Sequence, residues 1–337
     1  MSETIRLAHG LGGRLSQELL DQVIVPALSA RPDHAPTLDA AVLLDLEGPV
    51  VVSTDSFTVT PRFFPGGDIG KLAVCGTIND LAMMGGEPRY FTLSLILEEG
   101  LPLEELRRIM NSIGETARRA GVQVVTGDTK VVEKGAVDGL YLNTTGLGTR
   151  RFGPVGPEQI RASDVILISG TIADHGAAIL NAREKLGFSG ALASDCAPLW
   201  ELVAAVAKAA GSHLHALRDP TRGGLSATLN ELARDSGLEL VIEEAALPIR
   251  PEVAAFLEVL GLDPLPLANE GKCVLFVAPE VVNASLTALR HHPLGREAVV
   301  IGRVEKGRRR GRVILATAIG TRRVLEMPLE PGLPRIC

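Results

Sequence analysis

Two kinds of segment alternate along this chain of 337 residues, and their order restricts the fold more than any other feature. Short runs rich in β-branched residues, such as residues 50–54 and 165–169, have the length and composition of buried strands. Longer stretches carry apolar residues at helical spacing, among them residues 102–120, which begin with Pro102 and stop at Gly121. This alternation predicts an α/β protein.

A cluster of glycine and proline at residues 152–157 interrupts the alternation and is typical of a domain boundary. We therefore expect an N-terminal domain of residues 1–155 and a C-terminal α/β domain of residues 156–327, each long enough for its own core. The final segment, residues 328–337, contains three prolines and ends in a cysteine. Because proline interrupts helices, this segment is predicted to be an extended, mobile tail.

Composition and charge exclude several classes of protein. A hydrophobic content of 46% with 22% charged residues is typical of a soluble globular protein. No apolar run is long enough for a membrane span, and the N-terminus does not resemble a secretory signal, so we expect a cytoplasmic protein. The net charge of −6 argues against nucleic acid as a partner. A basic cluster at residues 306–312 is interpreted as an exposed hairpin turn between two strands.

The four cysteines stand far apart, at positions 75, 196, 273 and 337, and their spacing matches no zinc-binding pattern. We expect no disulfide in a reducing compartment. Cys75 and Cys273 lie in apolar stretches and are interpreted as core residues. Cys337 is the last residue of the chain, where an exposed thiol is a liability unless it has a use. It is therefore the candidate carrier of the group that is transformed.

Acidic residues in the first domain indicate a metal and nucleotide site. Carboxylates suit Mg²⁺, which takes oxygen ligands and is usually shared with substrate phosphates. One aspartate beside small polar residues is more often a turn former or helix cap, but four in one domain favour a site. Glycines in residues 9–13, including Gly12 and Gly13, either hold phosphate through backbone N–H groups or form a flexible turn. Residues 66–71 do not complete a Walker A loop. The four aspartates, placed where chain elements are expected to end, are Asp39, Asp55, Asp80 and Asp128.

Motifs along the whole chain resemble, in order, those of the HypE family of hydrogenase maturation factors. The terminal motif is the most specific, since related ATP-using enzymes of the same fold lack a terminal cysteine. Leu11 departs from the pattern, where a serine is expected, which affects only a side-chain contact to phosphate. The motifs are residues 8–13 (AHGLGG), 53–61 (STDSFTVTP), 64–81 (FPGGDIGKLAVCGTINDL), 127–132 (GDTKVV), 169–176 (SGTIADHG), 217–224 (LRDPTRGG), 269–272 (NEGK) and 334–337 (PRIC).

The resemblance implies a fold, a reaction and partners. The fold would be that of the aminoimidazole ribonucleotide synthetase superfamily, α/β (α+β) with two domains, whose N-terminal domains pair in a homodimer. The reaction would be ATP-dependent dehydration of a carbamoyl group on Cys337 to a thiocyanate, with release of ADP and phosphate. The carbamoyltransferase HypF would supply the carbamoyl group. The HypC–HypD complex would accept the cyanide for the iron of [NiFe]-hydrogenase.

The resemblance also implies roles for individual residues. The four aspartates would bind Mg²⁺ and thereby ATP, together with Gly12 and Gly13, and Lys130 would steady the phosphate charge. Glu270 is the candidate base for the amide proton. Asp219 and Arg222 would shape the pocket for the nucleotide or the tail. The alternatives are a turn carboxylate for Glu270, a surface lysine for Lys130, and a tight structural loop for residues 217–224.

Two other functions stay open at this point. One is a related kinase or synthetase acting on a free small molecule, like selenophosphate synthetase. That enzyme is expected to carry a reactive cysteine or selenocysteine near the N-terminus, whereas the first cysteine here is Cys75. The other is a non-catalytic scaffold that binds partners through its tail. Nucleotide hydrolysis that depends on Mg²⁺ and Cys337 separates the enzyme from the scaffold.

Overall fold

The computed structural model describes residues 4–11, 13–28, 40–43, 45–188, 192–307, 311–329 and 335–337. The strands in these ranges are β1 (Val50–Phe57), β2 (Phe63–Phe64), β3 (Gly67–Asp68), β4 (Gly86–Glu98), β5 (Gln123–Val132), β6 (Leu140–Arg150), β7 (Val165–Ile168), β8 (Leu214–Arg218), β9 (Glu239–Glu243), β10 (Val274–Val277), β11 (Val299–Glu305), β12 (Arg312–Ala316) and β13 (Arg322–Val324). The helices are α1 (Arg14–Leu19), α2 (Val25–Leu28), α3 (Ile69–Met83), α4 (Leu103–Arg119), α5 (Asp174–Glu184), α6 (Trp200–Ala210), α7 (Gly224–Ser236), α8 (Pro251–Leu260) and α9 (Val282–His291). A π-helical segment, Leu20–Ile24, joins α1 to α2.

The first sheet has four strands in the order β1-β6-β4-β5, with β4 and β5 parallel and the other pairs antiparallel. Helices α3 and α4 contribute buried side chains to its core. The sequence predicts α4 as residues 102–120, and the structure confirms this because Leu106, Ile109 and Ile113 are completely buried on one face. The helical spacing of apolar residues is visible in the sequence because only one side of α4 packs against the protein.

The second sheet has seven strands in the order β13-β12-β9-β11-β7-β10-β8. Strand β10 is buried at all four of its residues, as expected for a central strand covered on both faces. Strands β11 and β12 were expected to form a hairpin around residues 306–312. That prediction is wrong, because β9 lies between them and pairs with both. Residues 308–310, which belong to the connection between β11 and β12, lie outside the described ranges.

Helix α3 lies between the two halves of the chain. It contacts α4, β1 and β6 on one side and α6 and β8 on the other, so that most of its residues are buried. Asp68 caps its N-terminus by accepting hydrogen bonds from the backbone N–H groups of Gly70 (2.8 Å) and Lys71 (3.1 Å). A helix buried on nearly all sides is expected to be mostly apolar, as α3 is. Among its residues, Gly76 and Asp80 line the cleft at the junction between the halves.

The first sheet ends at Arg150 and the second begins at Val165, and the predicted domain boundary at residue 155 falls in the connection between them. Among the described residues, none of the helices combines the length and hydropathy that spanning a bilayer requires.

Candidate active site

A cleft opens where the two halves meet, and four parts of the chain form its walls. Strand β1 and helix α3 contribute from the N-terminal half. The segment that follows β8 and the segment that precedes β10 contribute from the C-terminal half, and the last residue of the chain closes one end. The lining residues are Asp55, Ser56, Phe57, Gly76, Asp80, Arg218, Asp219, Thr221, Arg222, Glu270 and Cys337.

Three aspartates point into this cleft from different elements. Asp80 accepts a hydrogen bond from Ser53 Oγ at 2.6 Å, and Asp55 accepts one from Thr77 Oγ1 at 3.3 Å. Burial raises the pKa of Asp80 to about 6, and the charge of Asp55 adds to the effect. Burial and the charge of Asp80 raise the pKa of Asp219 to about 7. These carboxylates therefore crowd one another, with too little positive charge nearby to compensate.

This donor set fits a divalent cation that is shared with a ligand. Within the described residues no group of three His, Cys, Asp or Glu side chains is close enough to hold a metal ion. An ion at Asp55, Asp80 and Asp219 would therefore need further oxygen ligands, and phosphate oxygens supply them in Mg²⁺ sites. The raised pKa values of Asp80 and Asp219 have the same explanation, since a cation would offset the repulsion between the carboxylates.

Glu270 lies at the inner wall of the cleft, and its side chain is almost completely buried. Its backbone N–H donates to Asp195 Oδ1 at 3.0 Å, so the aspartate fixes the position of the main chain. Its Oε1 atom has no hydrogen-bond partner among the described residues. Burial, followed by the charges of Asp219 and Asp195, raises the pKa of Glu270 well above its usual range. The residue is thus a buried carboxyl group with a free oxygen and a high proton affinity, and it can act as a general base in its ionised form.

Cys337 is half-buried at the end of the cleft, and its pKa is raised to about 12 by burial and by the charge of Glu270, against the effect of Arg222. Its main-chain oxygen accepts a hydrogen bond from the backbone N–H of Thr58 at 3.0 Å. Ile336 before it is buried in the core of the N-terminal half. In this position the thiol is neutral, so the docked tail presents a weak nucleophile.

Arg335 attaches the tail to the N-terminal half through its side chain and to the C-terminal half through its main chain. The guanidinium donates to Asp138 Oδ2 and to the carbonyl of Thr58, each at 2.8 Å. The carbonyl oxygen of Arg335 accepts a hydrogen bond from Arg183 Nη2 at 2.7 Å. The last three residues are therefore held by specific polar contacts in addition to apolar burial.

The structure brings together six of the predicted site residues and leaves others outside the cleft. Asp128 and Lys130 lie on β5, more than half exposed, and form an ion pair with each other at 3.0 Å. Gly13 precedes α1 and has open space around it. Gly12 and Asp39 lie outside the described residues. The residues that meet in the cleft are Asp55, Asp80, Asp219, Arg222, Glu270 and Cys337.

The local setting of the aspartates differs from the sequence interpretation, which placed them where chain elements end. Asp55 lies within β1, Asp80 within α3 and Asp128 within β5. The small polar residues near the aspartates have a different role from marking the ends of elements. Ser53 donates to Asp80, and Thr77 hydrogen-bonds with Asp55 across the interface between α3 and β1.

Several residues at the site were not singled out from the sequence. Arg218 and Thr221 line the cleft and belong to the motif at residues 217–224, so their position in that motif was an available signal. Asp195 holds the main chain at Glu270 and Gly271, at 3.0 Å and 3.1 Å. Because Asp195 is 75 residues away from Glu270 along the chain, only the fold reveals this contact.

Comparison with known proteins finds relatives along the whole chain. Models of AIR synthase related proteins match residues 38–150 with the N-terminal domain and residues 161–314 with the C-terminal domain. Carbamoyl dehydratase HypE of Escherichia coli (strain K12) is 47% identical over 339 residues, which cover 99% of each chain. A crystal structure of hydrogenase maturation protein HypE in complex with ATP has a TM-score of 0.93 and 45% identity, and covers 98% of this chain and 99% of that one. A crystal structure of a HypE–HypF complex has a TM-score of 0.80 and 41% identity, over 94% of this chain and 100% of that one. The predicted two-domain fold is thereby confirmed.

Proposed function

This chain belongs to the HypE family of carbamoyl dehydratases, and from that premise we propose that it converts an S-carbamoyl group on Cys337 into a thiocyanate with consumption of ATP. One observation supports the proposal above all others. The thiol of the last residue lies in the same cleft as a buried carboxyl group, Glu270, and three crowded aspartates. An enzyme acting on a free small molecule has no need to place its own terminal residue there.

The reaction needs ATP because the oxygen of a primary amide is a poor leaving group. Transfer of the γ-phosphoryl group to the carbamoyl oxygen turns that oxygen into part of a phosphate ester. The C–O bond then breaks and phosphate leaves, while the nitrogen loses both of its protons and the C≡N bond forms. Thiocarbamate and ATP give thiocyanate, ADP and phosphate, so the oxygen of the amide ends in the phosphate. Phosphoryl transfer of this kind depends mainly on position and charge.

The residues of the cleft match these demands. Glu270, with its free Oε1 atom, takes a proton from the amide nitrogen. Arg222 lies near the sulfur of Cys337, and Arg218 lines the same cleft, so both are placed to balance negative charge from ATP. The hydrogen bond from Thr58 N–H to a main-chain oxygen of Cys337 holds the main chain while the side chain reacts.

We propose that Mg²⁺ accompanies ATP, held by Asp55, Asp80 and Asp219 together with the predicted ligands Asp39 and Asp128. When bound, the ion would neutralise phosphate charge and orient the γ-phosphoryl group. The crowded carboxylates support this role, because without a bound cation their negative charge would repel the phosphates of ATP.

The N-terminal half supports a homodimer. In the described part of the chain β1 and β5 are the outer strands of the first sheet, and both leave one edge without a partner. On the sheet face turned away from α3, Val52 is 58% exposed and Ile96 is 38% exposed. Unpaired edges and exposed apolar residues on one sheet are typical of an interface. We propose that Asp128 and Lys130 of one subunit then serve the cleft of the other, which explains why they lie far from the cleft of their own chain.

HypF is the partner that gives the chain its carbamoyl group, and a HypC–HypD complex is the proposed acceptor of the cyanide. The docked thiol is neutral and half-buried, which supports a second position of the tail in which carbamoylation occurs. Nine residues from Leu329 to the end span up to about 30 Å when extended, enough to carry the thiol from the cleft to a partner.

Intact-mass spectrometry tests the proposal. The chain is incubated with HypF, a carbamoyl donor and ATP, and the masses are followed in time. We expect a gain of one carbamoyl group and then the loss of the mass of one water molecule. The Cys337→Ala variant should bind ATP and show neither change. Conversion of ATP to ADP that depends on a free small molecule, and not on Cys337, would instead support a synthetase of the selenophosphate type.

A further inference from the structure

The motif at residues 169–176 contains a histidine that the proposed chemistry does not use. His175 lies in the first turn of α5 and is completely buried beneath the docked tail. Its Nε2 atom is 2.9 Å from the carbonyl oxygen of Ile336, and its Nδ1 atom is 2.8 Å from Ser194 Oγ. A buried imidazole with both nitrogens engaged, one of them to the tail, requires an explanation.

The partners of His175 define its tautomer. A carbonyl oxygen only accepts hydrogen bonds, so Nε2 carries the proton and donates it to Ile336. Nδ1 then accepts from the hydroxyl of Ser194. The oxygen of that hydroxyl accepts a hydrogen bond from the backbone N–H of Cys196 at 3.1 Å. This bond uses a lone pair, so the hydroxyl proton remains available for Nδ1. All three groups are satisfied by one arrangement, and burial lowers the pKa of His175, which keeps the ring neutral.

The carbonyl that His175 holds belongs to the peptide group between Ile336 and Cys337. Fixing this planar group fixes the direction in which the cysteine side chain leaves the main chain. The N–H of Thr58 holds a main-chain oxygen of Cys337 from the other half of the chain. The reactive side chain therefore projects from a main chain that is held on both sides.

The loop that orients His175 also orients the base. Ser194 contacts the histidine, and its neighbour Asp195 accepts hydrogen bonds from the backbone N–H groups of Glu270 and Gly271. The loop itself rests against the N-terminal half, where Ser194 N–H donates to the carbonyl of Pro65 at 2.8 Å. One short loop thus sets the positions of both groups that react, the sulfur-bound carbamoyl group and the carboxyl group of Glu270.

We propose that His175 is a positioning residue for dehydration, which holds the tail so that the group on Cys337 meets Glu270. The inference rests on the proposed function, since it assigns a role within that reaction. His175 does not contact the reacting atoms and acts through the main chain of Ile336. Carbamoylation, which takes place with the tail away from the cleft, does not need it.

The test uses the full-length protein, carbamoylated by HypF and then mixed with ATP in a single turnover. His175→Leu removes the donor and leaves a buried carbonyl without its partner, so we expect dehydration to slow by about tenfold or more. The rate of carbamoylation should stay within about twofold of wild type. Alkylation of Cys337 by iodoacetamide, without nucleotide, should become about tenfold faster because the tail is docked for less of the time. His175→Gln places an amide N–H near the position of Nε2. It should therefore bring both the dehydration rate and the alkylation rate back toward their wild-type values.

A second buried histidine provides the control. His215 contacts Asp164 at 2.8 Å within the C-terminal half and forms no hydrogen bond to residues 335–337, the part of the tail's end that the structure describes. His215→Gln should change stability but not the alkylation of Cys337. Ser194→Ala keeps the histidine but removes the hydroxyl that selects its tautomer, and it serves as a second variant in case His175→Leu does not fold. It should slow dehydration and speed alkylation by less than His175→Leu does. Wild-type rates of dehydration and alkylation in both His175→Leu and Ser194→Ala would overturn the inference. A wild-type protein that never loses water would instead contradict the proposed function.

Discussion

Crowded carboxylates are the main electrostatic feature of the cleft, and Asp219 is the most strongly affected of the aspartates. Its pKa is about 7 in the folded chain against an ordinary value of 3.8. Because the pKa is raised on folding, the contribution of Asp219 to folding stability is complete at a pH below its unfolded pKa. This contribution is lost as the pH rises through the folded pKa. At pH 8 the ionised group therefore destabilises the nucleotide-free protein, which implies that binding was selected over stability at this position.

We predict that Asp219→Asn stabilises the nucleotide-free protein at pH 8 by about 1 to 3 kcal/mol, with a smaller gain at pH 5. The same substitution should weaken the binding of ATP with Mg²⁺. Thermal unfolding at both pH values and a titration with ATP measure the two effects. Asp21→Asn, at an exposed position in the π-helical segment, should change stability by less than about 0.5 kcal/mol. A lower stability of Asp219→Asn at pH 8 would show that its carboxylate is not repelled.

Glu270 separates the two chemical stages. Glu270→Gln keeps the size of the side chain and the backbone contacts to Asp195 but cannot take a proton at neutral pH. We predict that the variant accepts the carbamoyl group from HypF at the normal rate and dehydrates it about 10² to 10⁴ times more slowly. Time-resolved intact mass distinguishes the two stages. Dehydration at the wild-type rate would remove Glu270 from the mechanism.

At the scale of the element, the tail couples its position to the ionisation of its thiol. The pKa of Cys337 is about 12 when docked, against an ordinary value of 9.0. Because the docked value is raised, docking is fully favoured below pH 9 and is lost as the pH rises toward 12. The exposed, thiolate form of the tail and the docked, neutral form are therefore different states of one segment.

We predict that trypsin cleaves after Arg335 more readily at pH 10 than at pH 8, because cleavage requires an undocked tail. Cys337→Ser, whose hydroxyl does not titrate in this range, corrects for the pH dependence of the protease. Relative to this control, release of the dipeptide of residues 336–337 should rise by about tenfold between the two pH values. An equal rise in both proteins would mean that the thiol ionises without leaving its site.

Elements differ in how clearly the sequence reveals them. Helix α4 was predicted closely because one face is buried and the other is exposed, which produces a visible period. Helix α3 was not predicted because it is buried on nearly all sides and contains two glycines. This also affected the interpretation of the site. Asp80 was expected to stand at the end of an element, whereas it lies within α3. Strand pairing was equally hidden, as β9 lies between β11 and β12.

For the whole molecule, the residues inside the cleft could be predicted by motif and chemistry, but their partners could not. Asp55, Asp80, Glu270 and Cys337 were each named from the sequence, and the structure gathers them. The contacts that position them come from distant parts of the chain, such as Asp195 and His175, which only tertiary structure brings close. Asp128 and Lys130 lie apart from the cleft in the single chain, and the role proposed for them requires a second subunit.

A mixed dimer tests that dependence. One subunit carries Asp128→Asn and the other carries Glu270→Gln, purified through two different affinity tags. If Asp128 serves the cleft of the opposite subunit, one cleft of the mixed dimer has both functional residues, and we predict about half of the wild-type dehydration rate. If Asp128 serves its own chain, both clefts are defective. Mixed dimers as inactive as the two parent variants would contradict the shared site, and a purely monomeric protein would contradict the dimer.

The central claim is that Cys337 carries the carbon atom through an ATP-dependent dehydration in this cleft. Its most direct test is a single turnover with a carbamoyl donor labelled with ¹³C, in which ADP is counted and the modified peptide is mapped. We predict one ADP for each ¹³C-labelled thiocyanate, found only on Cys337, and neither product in the Cys337→Ala variant. Formation of ADP without a labelled nitrile, or a labelled nitrile on Cys75, Cys196 or Cys273, would contradict the account.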